Sequence, residues 1–313
     1  LTVRQRRFAS LFTSLLCTAA CLVGGAIPAR AGDDAHVLVL GRISDDPKAH
    51  YEQLKPLLDY VVPRMADVGV REGRILMAKD SQQMASYLRR GRVDWVTETA
   101  GTATLLTQRA DARPLLLTER DGTSQYHSIF FARRDSGIRT LDDLRGRRVA
   151  FQRPSSTSAY FAPAAELLQR GFSLEILLSP NDRIAAPAVG YLFARSELNI
   201  STWVHKRLVD AGVMSNLDWG NPRRMPEAFR QDLVVIAQTD DYPRALELVR
   251  SDLDPRVRAR LRQVLIDAAA DPAAGAALRQ FFGTTRFLPI DEASRTRLEQ
   301  MAGGIGRVRM EVE

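Results

Sequence analysis

The stretch "VAFQRPSSTSAYFAPAAELLQR", residues 149–170, runs from an apolar strand straight into a helix, with Ser155, Ser156, Thr157 and Ser158 crowded at the joint. A strand feeding a helix across a short turn is the unit of parallel sheets that carry helices on their faces. One serine suffices to cap a helix, so the other hydroxyls need a second role. A helix start presents unpaired N–H groups and the positive end of the helix dipole. Hydroxyls added there form a nest of donors suited to a tetrahedral oxyanion. Hydrogen bonds to a charged group contribute about 1.5–3 kcal/mol each. A handful of them, less the cost of association, supports micromolar binding, about −8 kcal/mol. The competing reading is a serine-rich cap that merely faces water.

Strands and helices alternate on both sides of this unit. "HVLVLGRIS" (36–44) reads as a strand buried on both faces, and Tyr51, Leu54, Leu57, Leu58, Val61, Val62 and Met65 then recur at helical spacing. Pro56 and Pro63 are expected to interrupt that helix. "RILMA" (74–78) is a strand, and "SQQMASYLRRG" (81–91) a helix with Ser81 as cap and Gly91 as stop. "VDWVTE" (93–98) is a strand, "TAGTATLLTQR" (99–109) a helix and "ARPLLLTE" (112–119) a strand. "QYHSIFFARRD" (125–135) reads as one strand long enough to cross between two lobes. Thr140 is placed as the cap of a short helix that Gly146 ends, followed by the strand "RRVAF". "VDAGVM" (209–214) and "DLVVIAQT" (232–239) are further strands, and the chain closes with helical patterns over 255–271, 272–283 and 291–305.

The first residues read as a leader. Arg4, Arg6 and Arg7 precede an apolar run that ends in Ala29-Arg30-Ala31, the outline of a secretory signal peptide cleaved between Ala31 and Gly32. Thr13, Ser14, Thr18 and a Gly-Gly-Ala break argue against a membrane anchor, and lipid attachment at Cys21, within "TAAC", is the alternative. Both cysteines, Cys17 and Cys21, fall inside the leader, which leaves a mature chain without thiol, disulfide or cysteine metal ligand. Four arginines leave with it, so the formal charge falls from +7 to +3 over residues 32–313. That balance mildly favours anionic partners and is no nucleic-acid footprint. The length suits two closely joined α/β lobes.

The stretch "YHSIFFARRDSGIRTLDDLRGRRVAFQRPSSTSAYFAPAAELL" (126–168) resembles the phosphate/phosphite/phosphonate-binding subunits of bacterial ABC importers. The features that carry the likeness are Tyr126 and Ser128, the Asp135–Ile138 turn, Leu141–Gly146 and Ser156–Ser158. More loosely, "RRGRVDWVTETAG", "KRLVDAGVM" and "VVIAQTDDYPRALELVRSDLDP" are similar to segments of the same family. The resemblance implies a type II periplasmic binding protein that closes two lobes over its ligand. It implies a first lobe of 32–125 with 240–313, a second lobe of 126–239, and sheets that are mostly parallel. It also implies that Tyr126 contacts the ligand near the hinge and that Ser156, Thr157 and Ser158, with Ser155 beside them, hold the oxyanion. Asp210 is expected from the second lobe, and Glu98 and Thr99 from the first. The family's phosphonate binders carry a His-Glu pair shortly before the Val-Asp-Ala motif. Here Glu197 and Leu198 stand there, which puts an aminophosphonate ligand in doubt.

Catalytic motifs are lacking. His36, His50, His127 and His205 show no metal-ligand spacing, and no nucleophile elbow, P-loop or dinucleotide fingerprint occurs. A hydrolase pairing Ser156 or Ser158 with His127 is the remote enzymatic reading. Asp45, Asp46, Asp240 and Asp241 read as caps and turn residues. The expectation is therefore a periplasmic, monomeric, non-enzymatic binder of a small anion. No cofactor, metal or nucleic acid is expected, and delivery is to an inner-membrane ABC permease or, alternatively, to a sensor kinase.

Overall fold

The structure, a computed structural model, describes residues 36–312. The expected leader, its cleavage point and Cys21 lie outside those residues. The chain begins with strand β1 (His36–Ile43), helix α1 (Pro47–Val61), β2 (Val70–Ala78), α2 (Ser81–Arg89), β3 (Trp95–Glu98), α3 (Ala100–Ala110) and β4 (Arg113–Arg120). α1 runs through Pro56, and Pro63 sits in the first turn of a 3-10 segment, Val62–Val68, that Gly69 stops at φ 83°. The α2 cap is Asp80, whose carboxylate accepts from Gln83 N at 2.7 Å, with Ser81 one position inside the helix.

The long crossing strand is divided in two. β5 (Gln125–Tyr126) is separated by His127 from β6 (Ser128–Arg133). The second half continues with β7 (Arg148–Phe151), α4 (Ala162–Gln169), β8 (Leu174–Ile176), β9 (Val189–Phe193), α5 (Glu197–His205), β10 (Ala211–Ser215), α6 (Asn216–Trp219), α7 (Glu227–Arg230) and β11 (Leu233–Gln238). Before β7, Thr140 caps nothing. It donates to Asp143 Oδ2, which also accepts from the Arg139 and Thr140 N–H groups. The return passes through β12 (Tyr242–Pro243) to β13 (Leu246–Val249), α8 (Pro255–Asp267), α9 (Gly275–Gln280), β14 (Thr284–Leu288) and α10 (Glu292–Glu311).

Two six-stranded sheets result, ordered β14-β4-β13-β3-β1-β2 and β11-β6-β10-β7-β9-β8. Each is parallel on one side, where strand and helix alternate (β2-β1-β3; β10-β7-β9-β8), and antiparallel on the other. The antiparallel strands include those that carry the chain out of one half and back into the other. Each sheet buries apolar side chains on both faces. Leu54, Leu57, Leu58 and Leu261 cover one face of the first sheet, and Met84, Leu88, Ala103 and Leu106 the other. In the second sheet the corresponding residues are Tyr160, Leu167 and Leu168 on one face, and Ile200, Val204 and Met225 on the other.

The two crossings meet. β5 and β12 form their own antiparallel pair, Tyr126 opposite Tyr242 and Gln125 opposite Pro243. The two tyrosine rings stand edge to face at 4.8 Å, and Tyr242 Oη lies 2.7 Å from Ser128 Oγ. α10, which falls in the stretch assigned to the first lobe, packs on α3 of one half and α4 of the other. Gly304 allows that approach, because a Cβ there would stand 2.9 Å from Ala165 Cβ.

Candidate functional site

Parallel strands point their C-terminal ends at a common edge, and helices start there, so that edge is where an α/β sheet collects ligands. Both sheets turn this edge toward one cavity of about 590 Å³. The first half supplies Arg42 to Asp45 at the end of β1 and just beyond it, Glu98 and Thr99 at the end of β3, and Thr102 in the first turn of α3. The second half supplies Gln152, Arg153 and Ser155 to Ser158 after β7, Arg195 to Glu197 after β9, and Asp218 after β10. Tyr126 and Arg244, on and beside the crossing pair, complete the floor.

Of the residues expected from sequence, Tyr126, Glu98, Thr99 and Ser155, Ser156, Thr157 and Ser158 all line this cavity. Asp210 does not. β10 runs parallel to β7, so the residue before β10 lies at the N-terminal end of the sheet, away from the cavity. There Asp210 Oδ2 accepts from Arg148 N at 2.8 Å, and its own N–H donates to Arg148 O at 3.0 Å. The assignment of Asp210 to the ligand is therefore corrected. The second-half acids on the cavity are Glu197 and Asp218.

The four hydroxyl residues have different tasks. Ser156 is the helix cap, accepting from Ala159 N at 3.1 Å. Thr157 is buried and reaches across to the other half. Its Oγ1 accepts from Gly101 N at 2.9 Å and donates to Thr99 Oγ1 at 2.9 Å. The approach requires glycine at 101, because a Cβ there would stand 2.8 Å from Thr157 Oγ1. Thr102 Oγ1 donates to Ser155 O at 3.3 Å, and Arg153 pairs with Asp45 across the same gap. Ser158 hydrogen-bonds the Tyr126 hydroxyl, whose titration burial pushes upward. The turn after β7 thus ties the halves together while lining the cavity.

Arginine is the component that the sequence reading missed. Arg42 Nη1 donates to Thr97 O at 2.7 Å and pairs with Glu98 Oε2 at 3.2 Å, yet its buried Nε has no partner. Arg153 and Arg244 each present a buried Nε without a partner as well. Arg244 stacks over the Tyr126 ring at 5.0 Å, and no carboxylate among the described residues is within ion-pair distance of it. Beneath them Arg120 is fully buried. Burial, and next Arg42 and Arg244, push its titration down to about 9. The guanidinium groups of Arg42 and Arg120 pack on the Phe282 ring at 4.8 and 4.6 Å.

The carboxylates, by contrast, are spoken for. Glu98 Oε1 accepts from Ile43 N at 3.0 Å besides its pairing with Arg42. Glu197 accepts from Gln152 Nε2 at 2.6 Å and pairs with Arg224 at 3.1 Å, while burial raises its titration. Asp218 accepts from Ser215 Oγ at 2.6 Å. The cavity therefore holds satisfied acids and basic groups with donors to spare, an environment that stabilises an anion. One signal for the arginines lay in view: Arg153 stands inside the quoted hydroxyl stretch, and Arg244 two residues after Tyr242. Nothing in the local pattern tells Arg42 from the chain's many solvated arginines.

Among the described residues no group of His, Asp and Glu is arranged to hold a metal ion. His127 is engaged by Asp241 at 2.8 Å and does not line the cavity that Ser156 and Ser158 face.

Known proteins share this fold. Two structures of XAC2383 from Xanthomonas citri, one bound to chloride ion and one to ATP, superpose with a TM-score of 0.85 at 56% and 55% identity. Each comparison covers 88% of this chain and 99% of that one. PhnD1 from Prochlorococcus marinus, in complex with methylphosphonate, shares the fold at a TM-score of 0.63 and 16% identity, over 88% of this chain and 99% of its own. Residues 41–294 match the family described as ABC transporter, phosphonate, periplasmic substrate-binding protein. The two-lobed α/β architecture and the sequence match together place this chain among the periplasmic substrate-binding proteins of phosphonate ABC transporters.

Proposed function

We propose that this chain captures a small phosphorus oxyanion, a phosphonate, phosphite or phosphate-like group, between its two halves and presents it in the periplasm to an inner-membrane ABC permease. The observation that carries the reading is the set of buried, unpartnered guanidinium Nε atoms of Arg42, Arg153 and Arg244 on the same cavity as the Ser155–Ser158 turn. A buried charged donor without an acceptor costs more than a hydrogen bond returns, about 1–3 kcal/mol or more. Three of them around one cavity are readily explained by an anion that satisfies them. The chloride and ATP bound to XAC2383 are both anionic, which supports the same chemistry here.

The acids bear on which phosphonate. Glu197 and Asp218 already have hydrogen-bond partners, so a ligand without an amine suits the cavity better than an aminoalkyl phosphonate. The test is a thermal-shift and calorimetric panel of methylphosphonate, 2-aminoethylphosphonate, phosphite, phosphate, ATP, sulfate and acetate on the mature chain. A ligand at a hundredfold excess over its Kd stabilises by about 2.7 kcal/mol. Stabilisation by a phosphorus oxyanion with none by acetate is the expected result. A panel without any phosphorus-containing binder would overturn the reading.

A further inference from the structure

A second cavity, of about 530 Å³, lies on the first half between α3, the start of β4, α8 and α10. Its size is that of a small-molecule site. Its lining is of another kind from the anion cleft: Ala103, Leu115, Leu246, Ile290, Leu298 and Ala302 form an apolar body. The neutral polar side chains are already spent on main-chain acceptors. Thr104 Oγ1 donates to Ala100 O at 2.9 Å, Thr107 Oγ1 to Ala103 O at 3.2 Å, and Gln108 Nε2 to Ala302 O at 3.3 Å. At the rim stand Arg262, Arg295 and Glu299. Arg295 is held by Glu292 of its own helix at a loose 3.7 Å, and no carboxylate among the described residues lies within ion-pair distance of Arg262.

An apolar cleft with an unpaired guanidinium at its mouth matches an amphipathic anion: hydrocarbon in the interior, carboxylate at the arginine. Glu299 on the same rim disfavours a second negative group. We propose that this cavity binds a medium-chain aliphatic monocarboxylate, its chain against Leu115, Leu246 and Leu298 and its carboxylate at Arg262. The site is separate from the phosphorus-anion cleft and does not depend on that assignment.

The probes are octanoate and decanoate, below their micellar concentrations, titrated calorimetrically into the full mature chain. Decanoate binds more tightly than octanoate, and octanol at least fivefold more weakly than octanoate. Ala302→Phe, which fills the cavity, weakens decanoate at least tenfold. Arg262→Gln, at a partly buried rim position with no carboxylate partner, weakens it at least fivefold. Methylphosphonate binding is followed in the same samples and stays at the parent value in Arg262→Gln. The proposal is overturned if decanoate produces no heat and no thermal shift at millimolar concentration, or if octanol equals octanoate. Decanoate binding unchanged in Arg262→Gln would overturn it too, whether or not Ala302→Phe folds.

Discussion

Thr157→Val tests whether this hydroxyl holds the two halves together or holds the ligand. Valine keeps the shape and removes the oxygen that accepts from Gly101 N and donates to Thr99 Oγ1. The Gly101 N–H then remains buried without an acceptor whenever the halves are closed. The cost of such an orphan is about 1–3 kcal/mol, levied on the closed form alone, because in an open form water reaches the amide. A ligand that binds the closed form has its apparent affinity reduced by the same free energy, about 5- to 150-fold. The assay pairs calorimetry with spin-label distances between exposed positions, one on each half. In Thr157→Val the ligand-free distance distribution shifts outward, and saturating ligand restores the parent distance. Thr157→Ser, which keeps the oxygen, behaves as the parent in both measurements. Gly101→Ala widens the ligand-free distance further, since its Cβ would stand 2.8 Å from Thr157 Oγ1 and 3.2 Å from Phe161 Cδ2. A Thr157→Val protein with lower affinity and an unaltered ligand-free distance would refute the latch and return Thr157 to the ligand.

Arg244→Gln removes a charged donor that has no protein acceptor, and loses about 1.5–3 kcal/mol of ligand binding, at least tenfold by calorimetry, with the melting temperature little changed. Asp210→Ala does the opposite: it strips the acceptor from Arg148 N, lowers stability by about 1 kcal/mol in urea unfolding, and leaves ligand affinity at the parent value. His50 gives a pH signature. Burial, and next Arg42, lower its titration from 6.5, so below that value the unfolded chain takes up the proton before the folded one does. Stability therefore declines as pH falls from about 6.5 through the folded-state titration, then levels. His50→Gln flattens that part of a urea-midpoint profile.

Much of the fold was legible because the parallel halves of both sheets advertise themselves. Short extended runs such as "HVLVL" and "VDWVTE", each followed by helical spacing, are the strand-then-helix signature. Legibility failed where position, not pattern, makes the element. β9 (Val189–Phe193) and α5 follow a turn-rich segment whose sequence carries little periodicity to mark them. The short β13 and β14 are supplied by chain returning from the second half, β13 between β3 and β4 and β14 on the outer edge of β4. The crossing strand was read as continuous because its residues favour extended backbone throughout. It breaks at His127, whose N–H turns to Asn216 Oδ1 at 3.2 Å, so that β5 pairs with β12 and β6 pairs within the second sheet.

The site separates in the same way. A helix start rich in hydroxyls is a local property and is visible in one stretch, whereas the direction in which a strand enters a sheet is not. Asp210 and Asp218 flank one strand, β10, and whichever end faces the cavity decides which acid matters. Pairing β10 parallel to β7 sends Asp218 to the edge that lines the cavity and Asp210 to the opposite one. The same logic recruits the arginines. Arg42 is the penultimate residue of β1, Arg153 follows β7, and Arg244 follows the crossing strand β12, so three residues up to about 200 positions apart converge at one edge. Each is bland in its own neighbourhood. Brought together on one cavity, they set three buried Nε atoms without acceptors beside the partnered carboxylates of Glu98, Glu197 and Asp218, and that imbalance, more than the serines, is what a bound anion would correct.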